Sequence, residues 1–470
     1  MNVKDVKSVH LVGAGGINMS AVGKLLLAAG VKVSGSDVQE NEQTKLLAER
    51  GAQIYIGEDG SHIPADCELL IYTSAAPQAN KERIAAASRK IPELTNFAFL
   101  GDWFEDSKTY VVTGTHGKST TTAMLGLILE KGKMDPTVVV GSKVPGFADG
   151  NLRLGKKELF VIEGDEYARH FLEFHPDGVI LNNLELDHTD VFRSVEVLIA
   201  SFHELVDQVK DGGIVVANVA DTRVAALVET ERDALMARNI RIIPFGVEGP
   251  DSWKVESSQK GDYREMSVEK AGETFRSNLS IHGSFNAMNA AGAALLAREL
   301  GVSYEDIGAA LEAFKGIWRR FEFLGEVHES RVYSDYGHHP TAVAATLKAA
   351  KESFPNRRVL LAFQPHHRNR TKSLFAEFIP SFDDADELVL CEIYDVAGRD
   401  ATEDEKVSSH ELVEAVTKRD ADRGAKRTVE YAADPTAAVA RILELAKADD
   451  IVICMGAGDI DGAARKVVGV

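Results

Sequence analysis

A chain of 470 residues, 44% hydrophobic and 27% charged, has the length for two to four domains of roughly 100 to 200 residues, each able to bury a core. Its 53 basic and 72 acidic residues leave a formal net charge of −19, which makes a poor general binder of nucleic acid or of anionic membranes; an anionic ligand must be held by local groups against the overall field. Cys67, Cys391 and Cys454 stand far apart without CxxC spacing, which argues against a disulfide framework or a zinc site, and no 18-residue apolar stretch occurs.

The first element, in MNVKDVKSVHLVGAGG, is a short apolar run that ends in glycines, unlike a signal peptide, so a cytoplasmic soluble chain is expected. From here short apolar strands alternate with helix-length segments, the pattern of parallel α/β sheets. VKVSGSD and ELLIYTSA continue the first block, which closes at a polar link over residues 104–108. Gly13, Gly15 and Gly16 follow a strand, and Asp37 comes 24 residues after Gly13, where an acid that binds ribose is expected. Asn18 replaces the third glycine of GxGxxG, so this fingerprint is incomplete. It does not separate NAD from another nucleotide, and a plain glycine-rich turn would read the same way.

In the second block TYVVTGTHGKS, ELFVIEGDE, DGVILNNLELDH and GGIVVANVAD each read as a buried strand with polar residues at its C-terminal end. Gly114 and Gly117 let backbone N–H groups approach phosphate oxygens, the helix that follows adds its positive dipole end, Lys118 a point charge and Ser119 a hydroxyl suited to Mg²⁺. GxxxxGK[ST] would need glycine where Val112 stands, so the loop is a shortened variant; a capped helix after a glycine turn would need neither Lys118 nor the second glycine. A phosphate-loop lysine is expected to carry no core packing. Glu163, Asp165 and Glu166 end the next strand, where a carboxylate can hold Mg²⁺ beside phosphates or lie solvated. Asp187 and His188 end another; the histidine can serve a second Mg²⁺ or be structural. An antiparallel-looking stretch from RIIPFGVEG to FRSNLSIHG leads into the helix NAMNAAGAALLAREL.

The third block starts after Gly316, with RVYSDYGHHP, RVLLAFQPHH, ELVLCEIYD and DIVICMGAGD as strands. Arg319, Arg320, Asp335, His338, His339, His366, His367, Arg368, Arg370 and Thr371 gather at or near strand ends. Such clusters recognise phosphate or carboxylate, although each alone could be a surface charge.

Taken in order, GAGGINMS, GSD, TGTHGKSTTT, EGDE, DHTD, GSFNAMNAAGA, RRFEFLGE, DYGHHPT, FQPHHRNRT and GAGDI cover nearly the whole chain and resemble the Mur ligase family, ATP-dependent enzymes that add amino acids to the peptidoglycan precursor. The resemblance implies an α/β protein of three domains: an N-terminal Rossmann-like domain for the UDP-sugar (1–107), a central P-loop ATPase domain (108–316) and a C-terminal Rossmann-like ligase domain that binds the amino acid and closes over ATP (317–470). It implies UDP-N-acetylmuramate on Gly13, Gly15, Gly16, Ser36, Asp37 and Ser74. ATP would lie on Gly114, Thr115, His116, Gly117, Lys118, Ser119 and Thr120, with Asn286 and Asn289 at the adenine and Arg319, Arg320 and Asp335 reaching it from the closing domain. Mg²⁺ would sit on Ser119, Glu163 and His188, while His338, His366, Arg368 and Arg370 would position the amino acid and the acceptor carboxylate. Lys118, Glu163, His188, Arg320 and His338 would form the catalytic set. Small-molecule substrates only, no nucleic acid, no membrane, and a monomer or homodimer complete the implied picture.

Departures bear on the choice of amine. Tyr167 and Ala168 stand where the alanine-adding branch has Ser-Asp, Phe285 where His is frequent, Ser334 where an acid precedes Asp335, and His367 where an arginine helps clamp the amino-acid carboxylate. Residues 189–209 hold no lysine, so the carbamylated lysine of some members is ruled out. FQPHHRNRT and GAGDI lean to the branch that adds one alanine; EGDEY and NNLELDH lean to the branch that reattaches a ready-made tripeptide. A nicotinamide-dependent oxidoreductase is a third reading, but it leaves GTHGKS and the whole third block without a role.

Overall fold

The computed structural model describes residues 2–156, 158–188, 191–395 and 407–470. The chain divides into two compact units that interleave in sequence: Met1–Leu184, Ile199–Trp253 and Ala290–Ala310 form one, and Glu185–Leu198, Lys254–Asn289 and Leu311–Val470 the other.

In the first unit a parallel sheet comprises β1 (Ser8–Val12), β2 (Lys32–Asp37), β3 (Gln53–Ile56), β4 (Leu69–Tyr72) and β5 (Glu93–Thr95), in the order β3-β2-β1-β4-β5. All five residues of β1 are buried, as expected for a central strand covered on both faces. The order reverses at β1 and β4, and there the glycine loop leads from β1 into the helix Ile17–Ala28. Such a reversal opens a crevice at the C-terminal strand ends, where open α/β sheets take their ligands.

The second sheet of this unit comprises β6 (Lys108–Thr113), β7 (Thr137–Val139), β8 (Leu152–Arg153), β9 (Leu159–Glu163), β10 (Gly178–Leu181), β11 (Ile214–Asn218) and β12 (Arg241–Gly246), running β12-β11-β10-β6-β9-β7-β8. Only β8 runs antiparallel to its neighbour. The apolar strand β6 lies between β10 and β9 and delivers the GTHGKS loop into the helix Lys118–Lys131. Contrary to expectation, RIIPFG is not antiparallel: β12 pairs parallel with β11, Ile214 opposite Arg241.

The turn at 149–151 ties the two sheets of this unit together. Asn151 donates to Ile17 O (2.5 Å) and accepts from Lys24 Nζ (2.7 Å), which also donates to Asp149 O (2.9 Å) and Gln43 Oε1 (3.2 Å). Lys24 is 2% exposed; burial, then the nearby Arg50 charge, lowers its pKa from 10.5 to about 8.

The second unit opens its sheet content with the meander β13 (Trp253–Lys260), β14 (Tyr263–Lys270) and β15 (Glu273–Leu279), where antiparallel pairing does appear. Its large sheet comprises β16 (Glu322–Val327), β17 (Ser330–Asp335), β18 (Val359–Phe363), β19 (Glu387–Cys391), β20 (Val429–Ala432) and β21 (Ile451–Met455), ordered β16-β17-β21-β18-β19-β20. Alternate residues of β18 point to opposite faces, so Leu361 and Phe363 pack with Phe378 and Leu412 while Leu360 and Ala362 pack with Val439 and Ile442. Arg264 of the meander donates to Glu352 (2.5 Å), and His282 bonds Ser353 (2.8 Å), so the meander and the large sheet share one unit.

Among the described residues no helix is long and apolar enough to cross a membrane.

Candidate active site

The phosphate-loop candidate depends on two left-handed glycines. Gly114 (φ 131°) passes so close to β10's end that a Cβ would lie 2.9 Å from the backbone of Asn183, and Gly117 (φ 83°) caps the helix that begins at Lys118. Asn183 holds the turn from both sides: its carbonyl accepts from Thr115 N (3.0 Å), its Oδ1 from His116 N (2.7 Å), and its Nδ2 donates to His116 O (3.1 Å). Asn182 donates to Thr121 Oγ1 (3.1 Å) in the buried first turn, which also contains Ser119 and Thr120. Neither asparagine was singled out from the sequence, although NN at the end of a strand beside the loop strand is a visible signal.

Lys118 Nζ donates to Gly114 O (2.7 Å), Thr115 O (3.1 Å) and Glu166 Oε1 (3.0 Å). Burial alone would lower its pKa; the Glu166 and Asp165 carboxylates outweigh that and hold it above the ordinary lysine value. Ser119 Oγ donates to Glu163 Oε1 (2.9 Å), whose other oxygen accepts from Gly141 N (2.6 Å). A hydroxyl and a carboxylate at a strand end are hard oxygen donors, the chemistry that suits Mg²⁺.

At the other glycine loop, the N–H groups of Gly13 and Ala14 donate to Ser36 O (2.9 and 2.8 Å), and Gly15 N donates to Asp37 Oδ2 (2.8 Å). A Cβ on Gly15 would collide with the side chains of Asn41 and Asp37. Gly16 is the N-cap of the helix Ile17–Ala28. Asp37 thus braces the loop. Ser36, also assigned to the UDP-sugar, turns its hydroxyl to the buried Glu82 (2.5 Å), which His10 and His62 also approach at 3.3 and 3.2 Å. Ser74 is exposed after β4.

In the second unit the organising residue is Asp187. Arg370 Nε donates to its Oδ1 (2.7 Å), the His188 N–H does the same (2.7 Å), and His338 Nε2 lies 3.8 Å from Oδ2. His338 Nδ1 faces Tyr336 O (3.0 Å), and Arg370 Nη1 donates to His366 Nδ1 (3.2 Å), which fixes the proton of that ring on Nε2. Burial would raise the Asp187 pKa, but Arg370 and His338 hold it well below the ordinary carboxylate value. Burial and Arg370 lower His338 to about 4; burial, His338 and Arg370 lower His366 to about 2, so both rings are neutral at physiological pH. Of DHTD, Thr189 and Asp190 lie outside the described residues.

Arg368 and Arg370 part company. RNRTKS forms a short helix, Arg368–Ser373, rather than a strand end, and Arg368 turns to Glu392 (3.3 Å) and Asp395 (3.1 Å) instead of joining Asp187. His367 caps that helix with a left-handed backbone, φ 69°. Asp335, buried, accepts from Phe321 N and Gly337 N, both at 2.7 Å; burial raises its pKa against the opposing charge of Arg320. Arg319 donates to Gly456 O and Gly458 O, the latter at 3.0 Å, while both Arg319 and Arg320 face the Tyr336 ring at 4.9 and 5.1 Å. Asn286 donates to His282 O (2.7 Å) and accepts from Asn289 (3.0 Å).

Residues 8–107 match the Mur ligase family catalytic domain, 112–297 the Mur ligase middle domain and 319–458 the Mur ligase glutamate ligase domain. The chain is 35% identical over 463 residues to UDP-N-acetylmuramate–L-alanine ligase of Clostridium kluyveri, covering 97% of this chain and 96% of the relative. Toward the protein of the same name from Aquifex aeolicus the identity is 34% over 458 residues, with the same coverage of 97% and 96%. Among solved structures, UDP-N-acetylmuramate–alanine ligase from Thermotoga maritima superposes with a TM-score of 0.80 at 26% identity, and a murein peptide ligase from Psychrobacter arcticus with 0.71 at 25%; each comparison covers 98% of both chains.

Proposed function

The chain belongs to the Mur ligase family, and from that premise we propose that it joins the amino group of L-alanine to the lactyl carboxylate of UDP-N-acetylmuramate with ATP as the driving reactant, a step in peptidoglycan precursor synthesis. The observation that carries this reading is the loop at the end of β6, where Lys118 and Ser119 open a helix and Ser119 meets the Glu163 carboxylate. The near full-length similarity to alanine ligases narrows the amine.

The three sequence blocks take three tasks in this reading: 1–107 the UDP-sugar, 108–316 ATP, and 317–470 the amino acid. A carboxylate is a poor acyl donor, so the γ-phosphoryl group moves to the lactyl carboxylate and gives an acyl phosphate. The alanine amine attacks its carbonyl, a tetrahedral intermediate forms, and phosphate leaves as the amide closes. Phosphoryl transfer asks the protein for alignment and charge neutralisation more than for a covalent nucleophile. Lys118 and the backbone N–H groups of residues 117–119, at the start of its helix, answer the phosphate charge. Ser119 and Glu163 would hold Mg²⁺, which supplies further neutralisation beside the phosphates when bound. Arg370, oriented by Asp187 and His366, suits a carboxylate; the neutral imidazoles of His338 and His366 add hydrogen bonds without charge.

The similarity to a murein peptide ligase supports a second reading, in which the amine is the cell-wall tripeptide. Phosphate release from ATP, Mg²⁺ and UDP-N-acetylmuramate should be compared with L-alanine, glycine, L-serine and that tripeptide as amines. Release that requires alanine, with the matching UDP-N-acetylmuramoyl-alanine mass, is expected. Release only with the tripeptide moves the protein to the recycling branch, and reduction of a substrate without ATP turnover overturns both.

A further inference from the structure

Glu166 lies three residues beyond Glu163 and does something different. It is 1% exposed, and its carboxylate meets Lys118 Nζ at 3.0 Å (Oε1) and 2.8 Å (Oε2). An ammonium has three donors, and those of Lys118 go to Gly114 O, Thr115 O and Glu166. A phosphate oxygen therefore gains a full hydrogen bond from Lys118 only by replacing one of the three.

The two carbonyls belong to the lysine's own loop, four and three residues before it, and hold the side chain back over that loop. Glu166 arrives from the segment after β9 and is the anionic partner. Exchanging it for phosphate trades one anion for another and leaves both carbonyl bonds in place. The segment that carries it is not locked by its own backbone preference: Ala168 (φ 49°) and Arg169 (φ 62°), just beyond, both hold left-handed conformations that residues with a Cβ disfavour. Three carboxylates, Glu166, Asp165 and Glu163, act on Lys118, so the surroundings of the phosphate loop oppose an incoming polyanion.

We infer that Glu166 is a built-in counter-ion which the nucleotide's phosphates displace from Lys118, so that it sets nucleotide affinity by competition. This rests on the ATP reading above. The same carboxylate recaptures Lys118 as a phosphate departs, so it favours release of the nucleotide product.

Calorimetric titration of the full chain with Mg·ADP, in wild type, Glu166→Gln and Glu166→Asp, tests this without turnover. Glutamine keeps the shape and removes the charge; its Kd for Mg·ADP is expected to fall about fivefold or more. Aspartate keeps the charge but draws it back by one methylene, and its Kd is expected to fall by less, in the same sense. Should glutamine fail to fold, as judged by circular dichroism, the aspartate variant decides. Unchanged or weaker binding in the folded variants makes Glu166 part of the binding site and overturns the inference while the ATP reading stands. A wild type that takes up no Mg·ADP overturns the ATP reading, and this inference with it.

Discussion

Lys118 shows how far a single residue can be read from its neighbours in sequence. Its position after two glycines and before Ser119 points to the phosphate-binding role proposed for it, because such a role depends on local backbone shape. Its partner did not announce itself: Glu166 stands 48 residues away, and nothing linear distinguishes it from Glu163 and Asp165, which point elsewhere. The partner also changes what a mutation does. The sequence alone suggests that Lys118→Ala spares the fold, but it would leave Glu166 buried beside no lysine, and breaking a buried pair from one side costs about 3–5 kcal/mol. We expect Lys118→Ala to lower turnover by about 10²-fold or more and to lower Tm as well. The double variant Lys118→Ala/Glu166→Gln should regain most of the Tm and none of the turnover, as read by thermal denaturation beside a phosphate-release assay. A single variant that keeps wild-type Tm would show that the pair carries no stability.

At the scale of elements, most buried parallel strands were legible because a continuous apolar run with polar residues at its end has few alternative readings, although the three-residue β7, buried and parallel to β9, was not read. The elements without such runs escaped notice: β3 is exposed or half-buried throughout, β8 has two residues, and β20 is half-buried over three of its four. The short helix Arg368–Ser373 escaped for another reason. Its six residues RNRTKS carry no apolar periodicity, yet the helical turn decides that Arg370 reaches Asp187 while Arg368 meets Glu392 and Asp395. That division makes Asp187 the residue on which the proposed amino-acid site depends. Asp187→Asn is expected to raise KM for L-alanine about tenfold or more, since one partner of a buried, hydrogen-bonded charge pair is lost, with a smaller change in KM for ATP. Equal rises in both would detach the cluster from amino-acid recognition.

For the molecule as a whole, the chain divides into two compact units, each drawn from separate stretches of sequence. The chain passes between two units after residues 184, 198, 253, 289 and 310, and no composition shift marks these passages. Lys24 belongs to this scale, because it joins two sheets of the first unit. Its pKa is about 8 when folded against an ordinary 10.5, so the unfolded chain holds more protons between those values and stability rises with pH across that window. Below about pH 8 the cost of burying the charge is present in full, with a ceiling of roughly 3 kcal/mol. Denaturant unfolding of wild type and Lys24→Met from pH 7.5 to 10.5 should show wild type gaining on the variant as pH rises; parallel curves would mean that Lys24 does not titrate there.

The shared unit of the meander and the large sheet bears on how the protein is made. Arg264 leaves the ribosome 88 residues before Glu352, the carboxylate it pairs with. At about 5–20 residues per second that is a delay of roughly 4 to 18 seconds. Through that interval the two bonds that tie this segment to the large sheet, Arg264 to Glu352 and His282 to Ser353, are unmade. A chain interrupted near residue 316 would therefore carry the meander and the helices Ser284–Glu299 and Tyr304–Ala313, with Arg264 and His282 still without these partners.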